Sequence, residues 1–144
     1  MILPASAAAK PTLVTGQTSF SNQQQTILRN SGNTLVVLIT SQLIFTGDFQ
    51  GTDQGTAIAI IDTSTGKLTF IQQTTFTGTV LSSKPGTVNI LTIGNGILEG
   101  ASQAYDVLYH GTGGLSGLHG EGNQATPAES PITTFSLKIN FDQR

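Results

Sequence analysis

The segment 105–121 gathers side chains that can move protons: Tyr105, Tyr109, His119 and Glu121. In an extended strand residues i and i+2 share a face, so His119 lies beside Glu121, and Tyr105 beside Val107 and Tyr109. If those faces turn inward, a cavity gains a carboxylate, an imidazole and two phenols, a set suited to proton transfer on a bound small molecule. A carboxyl group in apolar surroundings has a raised pKa, which suits a general acid or base. Glu121, His119 and Tyr109 are therefore the candidate catalytic residues, with Tyr105 as a ligand contact. A plainer alternative has Glu121 accept hydrogen bonds from the neighbouring glycine-rich backbone while the tyrosines rim a barrel. Gln72, Phe70 and Phe76 complete the ligand-binding set. They share one face of a period-two segment, and an inward Gln72 either orients a ligand or bonds across the wall.

Other chemistries fit less well. His119-Gly120-Glu121 matches the His-x-Glu half of a zinc deaminase signature, but the other half needs cysteines and the chain has none. A site of His110, His119 and either Glu121 or Asp106 has no ligand-spacing signature, so no metal and no cofactor is expected. Gly111-Thr112-Gly113-Gly114-Leu115-Ser116 is not a dinucleotide loop, since Ser116 stands at the third glycine position and no helix follows. Its glycines suit a tight corner and a bulge, with Leu115 and Leu118 plugging one end of the fold. No nucleophile elbow supports a Ser–His–Asp triad. Asp48 reads as a turn-forming residue.

The elements that must position these residues are strands. Charged residues are 10% of the 144, and their place is taken by uncharged polar residues, among them 22 Thr. Thr is β-branched and fits a pleated, half-buried surface, and the 17 Gly supply turns and bulges. Gln17–Phe20 is expected as a short first strand, followed by a polar loop at Ser21–Gln25 and a turn at Asn30–Asn33. Leu35–Phe45 is a long apolar run, and Thr56–Ile61 is the next strand. Gly66 closes the hairpin before the alternating segment 68–77. Thr87–Ile93 is a strand turned by Gly94-Asn95-Gly96, and Ile97–Ala101 and Ala104–His110 pair around Ser102-Gln103. Phe135, Leu137, Ile139 and Phe141 mark a final strand with one buried face. About eight strands at 8–12-residue spacing fit a sandwich or a barrel. The barrel is favoured because Leu35–Phe45 is apolar on both faces, as for a wall between a filled interior and a second surface. That second surface is expected to be a neighbouring subunit, making a homo-oligomer.

Net charge is −2 and the six Lys and Arg are scattered singly, so neither nucleic acid nor a membrane surface is expected as a partner. The Ala-rich stretch Pro4–Pro11 carries Ala-x-Ala matches but lacks a preceding apolar stretch. Localisation is thus left as cytoplasmic, or secreted if this stretch is a signal-peptide remnant. Residues 1–15 are expected to be a flexible N-terminus and 16–144 the barrel domain.

Three motifs occur in order: Phe45-Thr46-Gly47-Asp48-Phe49-Gln50-Gly51, Phe76-Thr77-Gly78-Thr79-Val80, and the glycine-rich run Gly111–Gly122. Together they resemble the domain-of-unknown-function family 3224 over roughly residues 34–142, with His119 where the family more usually has Arg. The resemblance implies an all-β fold, a single antiparallel eight-stranded barrel that is allene-oxide-cyclase-like (calycin-like), with an apolar or mixed cavity. Family membership implies no reaction. The leading expectation is a barrel that binds a small hydrophobic molecule, acting as a cofactor-independent cyclase or isomerase of the allene-oxide-cyclase-like type. The alternatives are a lipocalin-like binder without chemistry and a purely structural barrel with a filled interior.

Overall fold

The computed structural model describes residues 10–142. Its eight strands are β1 (Thr12–Ser31), β2 (Thr34–Gly47), β3 (Phe49–Asp62), β4 (Lys67–Val80), β5 (Gly86–Ile97), β6 (Ser102–Gly113), β7 (Leu118–Thr126) and β8 (Ile132–Phe141). Each pairs antiparallel with the next, and β1 pairs with β8 to close the barrel. Closure satisfies backbone groups that an open sheet would leave at its edges. The Ala-rich residues 4–9 lie outside the described residues.

Alternate turns of such a meander fall at the same end. One end is closed by aromatic packing. Phe45, Phe49, Phe76 and Phe135 pack with ring centroids 5.1–6.0 Å apart. Leu115, from the β6–β7 turn, and Leu118, which opens β7, are fully buried beside them, so the glycine-rich run does plug one end. The Phe-x-Gly motifs have a steric cause. Gly51 and Gly78 face each other across β3 and β4, and a Cβ on Gly78 would meet Gln50 O at 2.1 Å and the Phe76 ring at 2.9 Å. The strands approach closely only because both residues lack a side chain. Asp48 holds the adjoining turn as expected: its Oδ2 accepts from Thr15 N at 2.9 Å, and its own N–H donates to Thr15 O at 3.0 Å.

Several boundaries differ from expectation. β1 starts at Thr12, inside the segment expected to be flexible, because Val14 is fully buried opposite Leu137. The glutamine-rich stretch at 21–25 is part of β1 and not a loop. It pairs with β2 out to Ser31–Thr34, whereas β8 reaches only as far as Ser19. Both faces of this overhang are exposed, so its polar composition reflects solvent and not irregular backbone. Likewise β5 continues through Gly94-Asn95-Gly96 to Ile97, and the turn lies at 98–101. On the outer wall Ile58, Ile71, Ile93 and Tyr105 are directly paired across β3 to β6 and are all exposed.

Candidate functional site

The inward rows of the barrel change character along its axis. Towards the closed end they carry Phe49, Phe76, Val80, Val88 and Leu108. Towards the other end they become small or polar: Ala57 and Ala59 on β3, Gln72 on β4, Thr92 and Gly94 on β5, Ala104 and Asp106 on β6. The pairings Ala57–Gln72–Thr92–Asp106 and Ala59–Phe70–Gly94–Ala104 stack two such rows. Small side chains leave space that large neighbours do not fill. Gly94 shows the balance at one position: a Cβ there would meet the Phe70 ring at 2.4 Å and Ala104 Cβ at 2.7 Å. The result is a cavity of about 340 Å³, within the range of small-molecule sites. Its walls include Leu43, Phe45, Phe70, Ile90, Phe135 and Leu137, and its mouth includes Gln23, Leu98, Glu99 and Pro131.

Two carboxyl groups stand in this largely apolar space. Asp53 is 3% exposed and Asp106 4% exposed. Asp106 is well held: Thr92 Oγ1 donates to Oδ1 at 2.6 Å, and the Gln124 amide, turned to donate, reaches Oδ2 at 3.0 Å and Oδ1 at 3.3 Å. Burial pushes the Asp106 carboxyl up to about 6 despite the Thr92 bond. Burial likewise pushes Asp53 up to about 6. The nearby Thr74 hydroxyl and the Gln54 backbone draw it partly back, and the charge of Asp106 adds to the rise. Thr74 is close enough to act on Asp53 yet completes no hydrogen bond of good geometry. Asp53 Oδ1 and Thr74 Oγ1 are both buried without a partner. Buried polar atoms are nearly always paired, and of these two residues Asp53 lines the cavity, so its Oδ1 is an acceptor left open there.

The residues singled out from the sequence divide between the two faces of the wall. Phe70 and Gln72 line the cavity, and Phe76 sits in the aromatic plug beneath it. Tyr105, Tyr109, His119 and Glu121 point outward. Tyr105 Oη donates to Glu121 Oε2 on the outer surface, and this bond raises the Tyr105 pKa. Gln73 Nε2 donates to Tyr109 Oη on the same surface. His119 Nδ1 lies 3.2 Å from Gly117 O and 3.4 Å from Asp142 Oδ1. The expected sharing of faces therefore holds, but the face is the outer one. Its cause is period two: Ala104, Asp106 and Leu108 on β6 and Leu118 on β7 take the interior, which leaves their neighbours outside. His110 and His119 converge with no carboxylate into a three-ligand cluster among the described residues.

Sequence reasoning missed Asp53 as a site residue, with Thr74, Thr92 and Gln124, and weighed Asp106 only as a metal ligand. A signal for both aspartates was present. Each occupies the inward parity of a strand whose same-face neighbours are apolar or small: Phe49 and Ala57 for Asp53, Ala104 and Leu108 for Asp106.

Comparison with known proteins agrees with this architecture. The crystal structure of a protein with unknown function from the DUF3224 family of Shewanella oneidensis MR-1 superposes with a TM-score of 0.74 at 16% identity, covering 94% of this chain and 100% of that one. At that identity the likeness concerns the fold. No curated protein matches the chain. The family described as protein of unknown function (DUF3224) matches residues 14–138, including the N-terminal strand that the three motifs leave out. This chain belongs to the DUF3224 family.

Proposed function

We propose that this barrel takes a small, largely apolar molecule into its cavity and orients it on Asp53 and Asp106. The observation that carries the reading is the buried, unpartnered Oδ1 of Asp53 on the wall of an otherwise mostly apolar space. A purely structural barrel gains nothing from a desolvated carboxyl group, which costs stability unless something is bound to it. The test is fluorescence of the naphthyl dye N-phenyl-1-naphthylamine, which brightens in apolar sites. Wild type should bind it saturably, and Ala57→Phe, which fills the space opposite Gln72, should not. Absence of binding to wild type, or equal binding to both, would overturn the proposal.

The same two carboxyl groups favour a second reading, a cofactor-independent isomerase or cyclase of the allene-oxide-cyclase-like kind. Groups with pKa values of about 6 are available at neutral pH in both protonation states. One protonated carboxyl can give its proton to an acceptor atom of the ligand while the ionised partner removes a proton elsewhere on it. The net proton count is unchanged, so no cofactor is required. The catalytic part of the reading rests on Asp53 and Asp106, because Glu121, His119 and Tyr109 lie on the outer surface. The exposed row Ile58–Ile71–Ile93–Tyr105 supports the expected homo-oligomer, since a row of uncharged, directly paired side chains suits a self-complementary contact.

A further inference from the structure

We infer that the cavity selects a cationic ligand: an alkyl or aryl amine whose ammonium group meets Asp53 while its apolar body fills the space between Phe70, Ile90 and Phe135. This inference deepens the binding reading above and rests on it.

Four observations carry it. First, among the described residues the cavity is lined by Asp53, Asp106 and, at its mouth, Glu99, and by no Lys, Arg or His side chain. Every formal charge these residues bring to the space is negative. Second, the two buried acids are not equivalent. Asp106 already takes donors from Thr92 and Gln124. Asp53 Oδ1 has no completed hydrogen bond, and the Thr74 hydroxyl beside it is also unpartnered. A donor is therefore wanted at Asp53. Third, folding alone has already desolvated this carboxylate. An incoming ammonium meets a carboxylate that folding has already withdrawn from bulk water, so the ion pair has chiefly the ligand's own desolvation to offset. Fourth, the rest of the lining is uncharged and presents more apolar than polar surface, with Phe70, Ile90 and Phe135 beside Ser41, Gln72 and Thr133, which favours a cation with a hydrocarbon body. A carboxylate-bearing ligand meets only like charge here and is rejected.

The test uses three probes of matched length: n-octylamine, 1-octanol and octanoate, titrated calorimetrically at neutral pH into the full chain. Octylamine should bind about tenfold or more tightly than octanol, the scale of one charge-assisted contact, and octanoate should not bind. Asp53→Asn should bring octylamine down to the level of octanol, and a single cooperative urea transition shows that the variant is folded. Equal binding of amine and alcohol to wild type would overturn the inference, and so would a preference that survives Asp53→Asn. If the naphthyl dye binds but octylamine does not, the cationic class is wrong and the binding reading stands. If none of the probes nor the dye binds, the binding reading itself falls.

Discussion

Replacing Asp53 by Asn removes a carboxyl group whose ionised form the fold penalises. In the native barrel its pKa is pushed from 3.8 to about 6. Between those values the native chain keeps the proton and the unfolded chain loses it. The unfolded state then binds fewer protons, so stability falls as pH rises through this window. The penalty is absent below the unfolded value and complete above about pH 6. A displacement from 3.8 to about 6 corresponds to about 3 kcal/mol, at about 1.36 kcal/mol for each tenfold change in proton affinity. Part of this comes from the charge of Asp106, so the two acids titrate as a pair and their penalties do not simply add. The assay is urea unfolding followed by circular dichroism from about pH 3.5 to about pH 7.5, on wild type and Asp53→Asn. The buried amide has its own cost, but that cost does not vary with pH. The stability of the variant relative to wild type should therefore climb with pH, by about 2–3 kcal/mol across the series. A difference that is flat with pH, or that falls, would refute the placement of Asp53 as an unpaired buried acid.

Asp62 should show the opposite sign. Its carboxylate accepts from Ser64 Oγ at 2.5 Å and from Ser64 N at 2.9 Å, which hold its pKa below the ordinary value, so Asp62→Ala should cost stability near neutral pH and less in acid, in the same urea series. Phe76→Ala should cost about 3–5 kcal/mol in urea unfolding, because it removes a fully buried ring from the aromatic plug. Gly94→Ala should cost about 1–3 kcal/mol by the same measure, since the new methyl collides with Phe70 and Ala104. Glu121→Gln should leave dye binding unchanged, and in an absorbance titration it should bring the Tyr105 pKa back towards its ordinary value.

The architecture was legible where one face of a strand is apolar and the other is polar. Phe135, Leu137 and Ile139 gave the parity of β8, and all three are buried. Segment 68–77 gave the parity of β4, so Phe70 and Gln72 emerge on the cavity side. Parity was not legible on β6. There Tyr105, Val107 and Tyr109 look as suited to a core as Ala104, Asp106 and Leu108, and an aspartate normally argues for the surface. In the closed barrel Ala104, Asp106 and Leu108 take the inward parity and the two tyrosines the outer one. The β1 overhang was hidden for a different reason. Its length depends on its pairing with β2, a contact that local composition does not report. The candidate site itself depends on four strands meeting at the level of Asp106, and Asp53 and Gln124 reach it from β3 and β7 only once the barrel has closed.

The most direct test of the central claim is native mass spectrometry of the protein mixed with an extract of small hydrophobic molecules, comparing wild type with Ala57→Phe. The account predicts a retained mass on wild type that is absent from the folded Ala57→Phe variant. An unliganded wild type, or the same mass retained by both proteins, would contradict a ligand-holding cavity.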